Sequence, residues 1–352
     1  MNLVLVPEPA PWLGQLPTLM GNGEQAEVLA PWALPAAPTR WGLFPSRLRG
    51  AWRRRTLPAP EGFRVWGLPG WWAVEAGLRL GARSAAASFR ARFALRRRVA
   101  QATAALLPEG VETVVAPSLC ARELFAAARR QGARCVLIED LPFLRALHAD
   151  LDEAAFRHPE ESFLRNHRAS AEDVARQEAE RVLADECWVR SAFSRERLLR
   201  DGHASERIRD LHLPAVAVSR GEAAQKEAEA SPVALLAGPA LARGGLREAL
   251  AALEARPGWH LWVRPTEGTD VAVLKHPRVQ RVTEQVQRTL RGVDVVLAPS
   301  WCESHPSEVA TAMAWGIPVI ATDRASGFHE CHTVPRGNVA ALVMELDAVR
   351  AT

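Results

Sequence analysis

Residues 300–323, SWCESHPSEVATAMAWGIPVIATD, place a polar segment directly before an alanine-rich helix pattern. They follow the strand pattern DVVLAPS, and Ser304 is a good N-cap, with Pro306 where a first turn tolerates proline and Gly316 at the helix end. A helix start carries unpaired N–H groups and a partial positive charge, so it can bind an anion. Glu303, just before it, has two acceptor oxygens that suit sugar hydroxyls. An ordinary strand–loop–helix with a solvated Glu303 fits the same residues.

A second candidate segment is GPALARGG at 238–245, which follows the strand pattern PVALLAG and opens another helix. Gly238 and Gly244 permit close approach of the backbone, and Arg243 offers a planar guanidinium that suits a diphosphate. The segment matches neither G-x-x-x-x-G-K-[ST] nor G-x-G-x-x-G, so these two phosphate-binding fingerprints are absent. A glycine turn with a surface arginine is the alternative. We expect neither Arg243 nor Glu303 to lie in a core.

Short apolar runs alternate with helical patterns around both segments. In the second half the runs are PVALLAG, WHLWVRP, VQRVT, DVVLAPS and IPVIATD, and in the first half they are NLVLV, VETVVAP, RCVLIED and ECWVRS. This alternation predicts α/β domains with parallel sheets. The polar, alanine- and glutamate-rich stretch near 215–232 indicates a linker. We therefore predict two Rossmann-like domains facing across a cleft, where open sheets bind ligands: an N-terminal domain over 1–215, a linker over 216–231 and a C-terminal domain over 232–352.

The composition limits the protein classes that remain. A chain of 352 residues is long enough for two cores. It contains no run of about 18 apolar residues that would cross a bilayer. The first residues, MNLVLVPEPAPWL, lack the features of a secretory signal, so we expect a cytoplasmic location. The five cysteines contain no C-x-x-C pair, which favours reduced, buried thiols.

Other catalytic motifs are incomplete. The segment HECH at 329–332 has ligand-type residues, but neighbours this close rarely hold one ion and no second half follows at zinc spacing. We therefore predict no metal site. The sequence has no G-x-S-x-G and no H-E-x-x-H, so it does not indicate a serine hydrolase or a zinc protease.

Positive charge is concentrated at the start of the chain. Residues 1–100 hold 14 arginines and five glutamates, a net charge of +9, and seven tryptophans fall within 12–72. Basic runs such as RLRGAWRRR and FRARFALRRR, close to aromatic residues, suit an anionic membrane surface. They also suit nucleic acid, although we do not expect that partner here. The third interpretation is a basic surface that is simply solvated.

Together these motifs resemble the retaining GT-B glycosyltransferases, most closely glycosyltransferase family 4. The segment APSWCESHPSEVATAMAWGIPVIATD is similar to the family's P-S-x-x-E, small-residue helix and G-x-P-V-I-A-T. ARGGLREAL is similar to its K-G helix start, and ERVLADECWVRSAFSRERLLRDG to the segment that closes its N-terminal domain. The similarity covers roughly residues 110–330 and is strongest over 290–323.

The resemblance implies specific roles for these residues. Glu303 would hold the donor sugar, and Thr311, at the position of the family's second glutamate, would hold the ribose. Arg264 would replace a basic residue that is missing after Gly238, and Asp140 is the acceptor-side candidate. The diphosphate would contact the glycine turn and the helix start, namely Gly238, Arg243, Gly244, Ser304, His305, Pro306 and Ser307.

The implied activity is transfer of a sugar from a nucleoside diphosphate to an acceptor hydroxyl, with retention and without a bound metal or other cofactor. The expected partners are a nucleotide-sugar donor, a carbohydrate or lipid-linked acceptor and an anionic membrane surface that the enzyme would touch peripherally. Cell-surface polysaccharide or glycolipid synthesis is the expected setting, as a hexosyltransferase-like enzyme. The alternative is a GT-B relative without transfer, either a sugar-nucleotide epimerase or an inactive partner subunit.

Overall fold

The computed structural model describes residues 1–7, 26–30, 63–67, 77, 85–161, 164–165, 168–212, 231–266, 268–283, 286–304, 306–328 and 331–351. Most of the predicted linker lies outside these residues, as do His305 and the basic run RLRGAWRRR. The chain forms two compact units: the first contains 1–141, 169–188 and 204–209, and the second contains 142–168, 189–203 and 210–352.

The first unit is built on a seven-stranded sheet in the order β3-β2-β1-β4-β5-β6-β7. Strands β1 to β6 pair in parallel. The apolar runs predicted to be strands in this half form β1, β4, β5 and β6, and their residues are almost entirely buried. The strand bounds are β1 Asn2–Leu5, β2 Ala26–Leu29, β3 Phe63–Trp66, β4 Thr113–Pro117, β5 Arg134–Ile138, β6 Glu186–Val189 and β7 Ile208–Asp210.

The second unit has a six-stranded sheet in the order β10-β9-β8-β11-β12-β13, and every neighbouring pair is parallel. The chain order reverses between β8 and β11, so the loops that follow these two strands meet at a topological switch point. The strand bounds are β8 Val233–Leu236, β9 His260–Val263, β10 Val279–Arg281, β11 Val295–Ala298, β12 Val319–Ala321 and β13 His332–Thr333.

Helices connect these strands in the way that parallel sheets require. The small-residue helix predicted after Glu303 is α8, and the helix predicted after GPALARGG is α6. The bounds of the described helices are α1 Ala85–Ala105, α2 Arg122–Arg130, α3 Leu144–Arg157, α4 Ala171–Leu183, α5 Ala192–Arg200, α6 Leu246–Ala255, α7 Val286–Leu290, α8 Ser307–Trp315 and α9 Val339–Ala351.

In the first unit, a buried carboxyl group of the protein already occupies the start of the helix after β4. The Glu180 carboxylate, on α4, accepts hydrogen bonds from the backbone N–H groups of Leu119 at 2.6 Å, Ala121 at 2.8 Å and Arg122 at 3.0 Å. Burial raises the pKa of Glu180 to about 7, although these amides and Arg176 act in the opposite direction. The N–H groups at the start of α2, which could otherwise bind a phosphate, are therefore used by the protein itself.

Candidate functional site

The loop after β8 packs closely against the loop after β11. Gly238 has φ +79°, and a Cβ there would lie 3.7 Å from the Cβ of Pro306. A Cβ at Gly244 would lie 2.3 Å from the Pro239 carbonyl oxygen. Trp301 N donates to the Arg243 carbonyl oxygen at 3.0 Å. The glycine turn and the segment before α8, which the sequence nominated separately, are thus brought together.

Gly245 is the tightest point of this packing. It has φ +85°, and a Cβ there would lie 2.3 Å from the carbonyl oxygen of Pro299. Gly202, in the same unit, has φ +88°, but a Cβ there would meet none of the described residues within 4 Å, so it shares only the backbone conformation. We expect Gly202→Ala to cost about 1–2 kcal/mol, the strain of a left-handed alanine.

Gly245→Ala should cost clearly more than Gly202→Ala, because backbone atoms must also move by about 1 Å or more to relieve the contact. It should also weaken binding of nucleoside diphosphate, since the displaced turn carries Arg243. Thermal melts and calorimetry of the two variants test this. Equal destabilisation would show that the two loops separate without cost.

Three guanidinium groups surround the residue before Glu303. Burial raises the pKa of the Cys302 thiol to about 12; Asp150 raises it further, whereas Arg243, Arg336 and Arg324 lower it. Arg324 and Arg336 both pair with Asp150, at 3.0 Å and 2.7 Å. Arg243 is half-buried in the same neighbourhood. Arg324 also pairs with Asp323, and Arg336 with Glu153 at 3.1 Å, so carboxylates balance the charge of these two arginines.

The start of α8 differs from the prediction. The helix begins at Ser307, with Pro306 in the N-cap position and no side-chain cap. The prediction that Ser304 is the N-cap is wrong, because Ser304 N instead donates to the carbonyl oxygen of Arg324 at 2.8 Å. Gly316 ends the helix with φ +71°, as predicted. His305 lies outside the described residues.

Glu303 is buried, with 3% of its surface exposed, so the expectation that it lies outside a core is wrong. Its Oε1 accepts hydrogen bonds from Ser191 Oγ at 2.5 Å and from Ser194 Oγ. These serines belong to the start of α5, more than 100 residues earlier in the chain. Sequence reasoning missed them: S-x-x-S after a strand marks a helix start but gives no sign of its partner.

Arg264 and Thr311 are both engaged within the second unit. Arg264 Nη1 pairs with Oε1 of Glu308, in the first turn of α8, so the loop after β9 also reaches this helix start. The Thr311 hydroxyl donates to the Ser307 carbonyl oxygen at 2.7 Å, and its side chain is 2% exposed. Because the hydroxyl proton is donated within α8, the Thr311 oxygen can only accept hydrogen bonds from a ribose. A carboxylate at this position would offer more acceptor sites.

Asp140, in the first unit, forms a bidentate ion pair. Arg96, on α1, donates to Oδ1 at 2.9 Å and to Oδ2 at 2.8 Å, and also to the Ser118 carbonyl oxygen at 2.8 Å. Both carboxylate oxygens are therefore held by one guanidinium, in the bidentate geometry that arginine and carboxylate groups prefer.

A small pocket adjoins the start of α8. Pro306 and Val309 form one side, and Arg190, His212 and Phe328 contribute to the rest. The rings of His212 and Phe328 lie 4.9 Å apart between centroids.

The predicted absence of a metal site concerned HECH, of which His329 and Glu330 lie outside the described residues. Across the remaining residues that the structure describes, no cluster of histidine, cysteine, aspartate and glutamate side chains could hold a metal ion.

Comparison with known structures identifies the architecture. Trehalose-6-phosphate synthase, in a study of glycosyltransfer with retention, is 12% identical, with a TM-score of 0.57 over 100% of this chain and 91% of that one. The lipopolysaccharide outer core galactosyltransferase WaaB is 15% identical, with a TM-score of 0.56 over 100% of this chain and 90% of that one. HepE from Anabaena, in complex with UDP-glucose, is 12% identical, with a TM-score of 0.54 over 99% and 88%. The fold is GT-B.

Residues 246–350, from the start of α6 into the last turn of α9, match the family described as glycosyl transferases group 1. No curated protein matches the chain in sequence. The family match and the GT-B neighbours together support a glycosyltransferase, and the matched segment includes Glu303 and α8.

Proposed function

We propose that this protein transfers a sugar from a nucleoside diphosphate to an acceptor hydroxyl, with retention at the anomeric carbon, as a family 4 type enzyme. The observation that carries the proposal is the convergence of three loops at the start of α8. The loops after β8, β9 and β11 contribute Arg243, Arg264 and Glu303. All three follow strands at the carboxyl edge of one parallel sheet, where α/β proteins bind nucleotides.

The proposed chemistry is stabilisation of the departing diphosphate. Arg243 and the backbone N–H groups at the start of α8, near Ser307, would take up negative charge as the glycosidic bond breaks, and no metal would be needed. The N–H group of Gly244 donates within its own turn, to the Leu241 carbonyl oxygen at 2.9 Å, so Gly244 would contribute close backbone approach and no hydrogen bond. The start of α8 adds the positive end of a helix dipole. The equivalent helix start in the first unit holds Glu180, so we assign the donor diphosphate to the second unit.

The remaining site residues take supporting roles in this proposal. Glu303 would contact the donor sugar and Thr311 the ribose through its acceptor oxygen. Arg264 would act mainly by holding Glu308 at the helix start. Asp140 would shape the acceptor side through its pair with Arg96. The acceptor would be a carbohydrate or a lipid-linked sugar in cell-surface polysaccharide or glycolipid synthesis at the cytoplasmic face of the membrane, and the enzyme would be a hexosyltransferase.

A panel of nucleotide sugars tests the proposal, with UDP-glucose first because the HepE neighbour was solved with it. A true donor should raise the melting temperature, since a ligand at 100 times its Kd adds about 2.7 kcal/mol of stability. NMR of the first product formed should show the donor's anomeric configuration. Failure of every nucleotide sugar and free nucleotide to bind would contradict the proposal.

A second candidate is a GT-B protein that binds nucleotide sugar without transfer, as an epimerase or an inactive partner subunit. It is favoured by Thr311, whose hydroxyl proton is donated within α8 and which offers no carboxylate to the ribose. Binding followed by epimerised donor, or by neither hydrolysis nor transfer with any acceptor, would select it.

We further predict that α1 binds anionic membrane. Arg90, Arg92 and Arg98 are exposed on this helix, within the segment of net charge +9. No helix within the described ranges is long and apolar enough to cross a bilayer. Replacing these three arginines by glutamine should weaken binding to anionic vesicles about 100-fold at low salt, at roughly 1 kcal/mol per basic residue.

Co-sedimentation with neutral and anionic vesicles, at low and raised salt, measures this effect. A matched triple variant replaces exposed arginines of the second unit, Arg281, Arg288 and Arg291, by glutamine. It removes the same charge and should bind as the wild type does. Equal losses for the two variants would mean that net charge alone matters, and no binding at low salt would exclude the membrane.

A further inference from the structure

The first turn of α5 holds the carboxylate of Glu303 through two hydroxyl groups. Ser191 Oγ and Ser194 Oγ both donate to Oε1, the first at 2.5 Å. Both serines are 1% exposed and Glu303 is 3% exposed. Hydrogen bonds to a charged group are stronger than neutral ones, and water competes little at a buried site. The orientation of this carboxylate is therefore set by α5 as well as by its own loop.

The same turn is a helix N-terminus. Ser191 is the N-cap, and its Oγ accepts a hydrogen bond from Ser194 N at 3.0 Å. A negative charge at this end of a helix is stabilised by the helix dipole. Glu303 thus lies at the N-terminal end of α5 and accepts hydrogen bonds from two of its side chains.

Contacts on either side fix α5 against the loop of Glu303. Ala192 N donates to the Gly327 carbonyl oxygen at 3.1 Å. The guanidinium of Arg324 lies 3.7 Å from the ring centroid of Phe193, between the two serines in sequence, and the Arg324 carbonyl oxygen accepts from Ser304 N at 2.8 Å. Glu303 is therefore surrounded by three packed segments: the loops after β11 and β12 and the start of α5.

We propose that Ser191 and Ser194 are positioning residues, which orient Glu303 for contact with the donor sugar. The proposal rests on the proposed function and adds to it a part of the chain, α5, that contributes no group to the diphosphate contacts. A carboxylate must hold its direction closely to bind sugar hydroxyls, and small displacements of a reacting group lower the rate strongly. The serines supply that constraint through hydroxyl groups alone.

The test compares Ser194→Val with Ser194→Thr, two side chains of the same shape that differ in one hydroxyl. Any steric effect is common to both. Ser194→Val should reduce kcat/KM for the nucleotide sugar about 10–100-fold and leave the Kd of the free nucleoside diphosphate unchanged. Ser194→Thr should retain most of the activity.

Two further measurements separate the possible failures. In thermal melts, Ser194→Val should lower the stability of the wild type more than it lowers the stability of the Glu303→Gln variant. The reason is that the Ser194 hydroxyl bonds more weakly to a neutral amide than to a carboxylate. This double-mutant cycle does not depend on enzymatic activity. Ser170→Ala removes the N-cap of α4, whose Ser170 Oγ accepts from Asp173 N at 3.1 Å, and should lower stability without changing donor kinetics.

Equal kinetics of the Val and Thr variants in an active enzyme would overturn the positioning role while leaving the proposed function standing. If the wild type neither binds nor turns over any nucleotide sugar, the proposed function fails, and the positioning role fails with it. The stability cycle would then still report whether the Ser194–Glu303 bond exists, so the two failures can be told apart.

Discussion

Arg243→Ala should reduce turnover of the nucleotide sugar by about 10²–10³-fold, the loss seen when one preorganised electrostatic group is removed. Arg243 lies in the turn between β8 and α6, close enough to Cys302 to lower the pKa of that thiol. Its backbone is joined to the segment before α8 by the hydrogen bond from Trp301 N to the Arg243 carbonyl oxygen at 3.0 Å. We expect the effect in binding as well, because the diphosphate is present in both the substrate and the transition state.

A matched variant is Arg247→Ala, in the first turn of α6. Arg247 pairs with Glu161 and Asp270, and 31% of its side chain is exposed, so its removal takes away one guanidinium that is already engaged by two carboxylates. Calorimetry with free nucleoside diphosphate and steady-state kinetics should show a loss for Arg243→Ala alone. If Arg243→Ala keeps its turnover and merely melts earlier, the glycine turn is structural.

The strands of both sheets could be predicted where they are buried on both faces. β8 and β11 are runs of four buried apolar residues, and a helical pattern of ordinary length lies between each of them and the next strand. β2 and β3 could not be predicted in this way. AEVL alternates buried and half-buried residues, and FRVW contains an arginine, so neither stands out among the prolines, glycines and tryptophans around it.

The components of the site were predictable but their pairing was not. Gly238, Arg243 and the start of α8 follow from local turn chemistry, which acts over a few residues. Ser191 and Glu303 are 112 residues apart, and Arg96 and Asp140 are 44 apart. Their pairing depends on which strands become neighbours. Ser304 was assigned as an N-cap from local preference, yet tertiary contact with Arg324 directs its backbone elsewhere.

Glu303→Gln should separate contact with the sugar from contact with the phosphates. The substitution keeps the shape and removes the charge, so use of the nucleotide sugar should fall about 10–100-fold, as expected for loss of one charged hydrogen-bonding group. Affinity for the free nucleoside diphosphate should stay close to the wild-type value, because Arg243 and the start of α8 are unchanged. Calorimetry with the sugar nucleotide and with the diphosphate alone gives this ratio directly.

Burial of Glu303 adds an expected effect on stability. The glutamine amide would place N–H groups where the carboxylate has acceptor oxygens, among hydroxyl groups that donate to them. We therefore expect the free energy of unfolding to fall by about 1–3 kcal/mol. Glu186→Gln is the matched variant: Glu186 is also buried, accepts from Trp188 Nε1 at 2.5 Å and pairs with Arg209, but lies in the first unit. It should lose comparable stability and keep the wild-type ratio of the two affinities. If Glu303→Gln behaves in the same way as Glu186→Gln, Glu303 serves to anchor α5 and has no contact with the sugar.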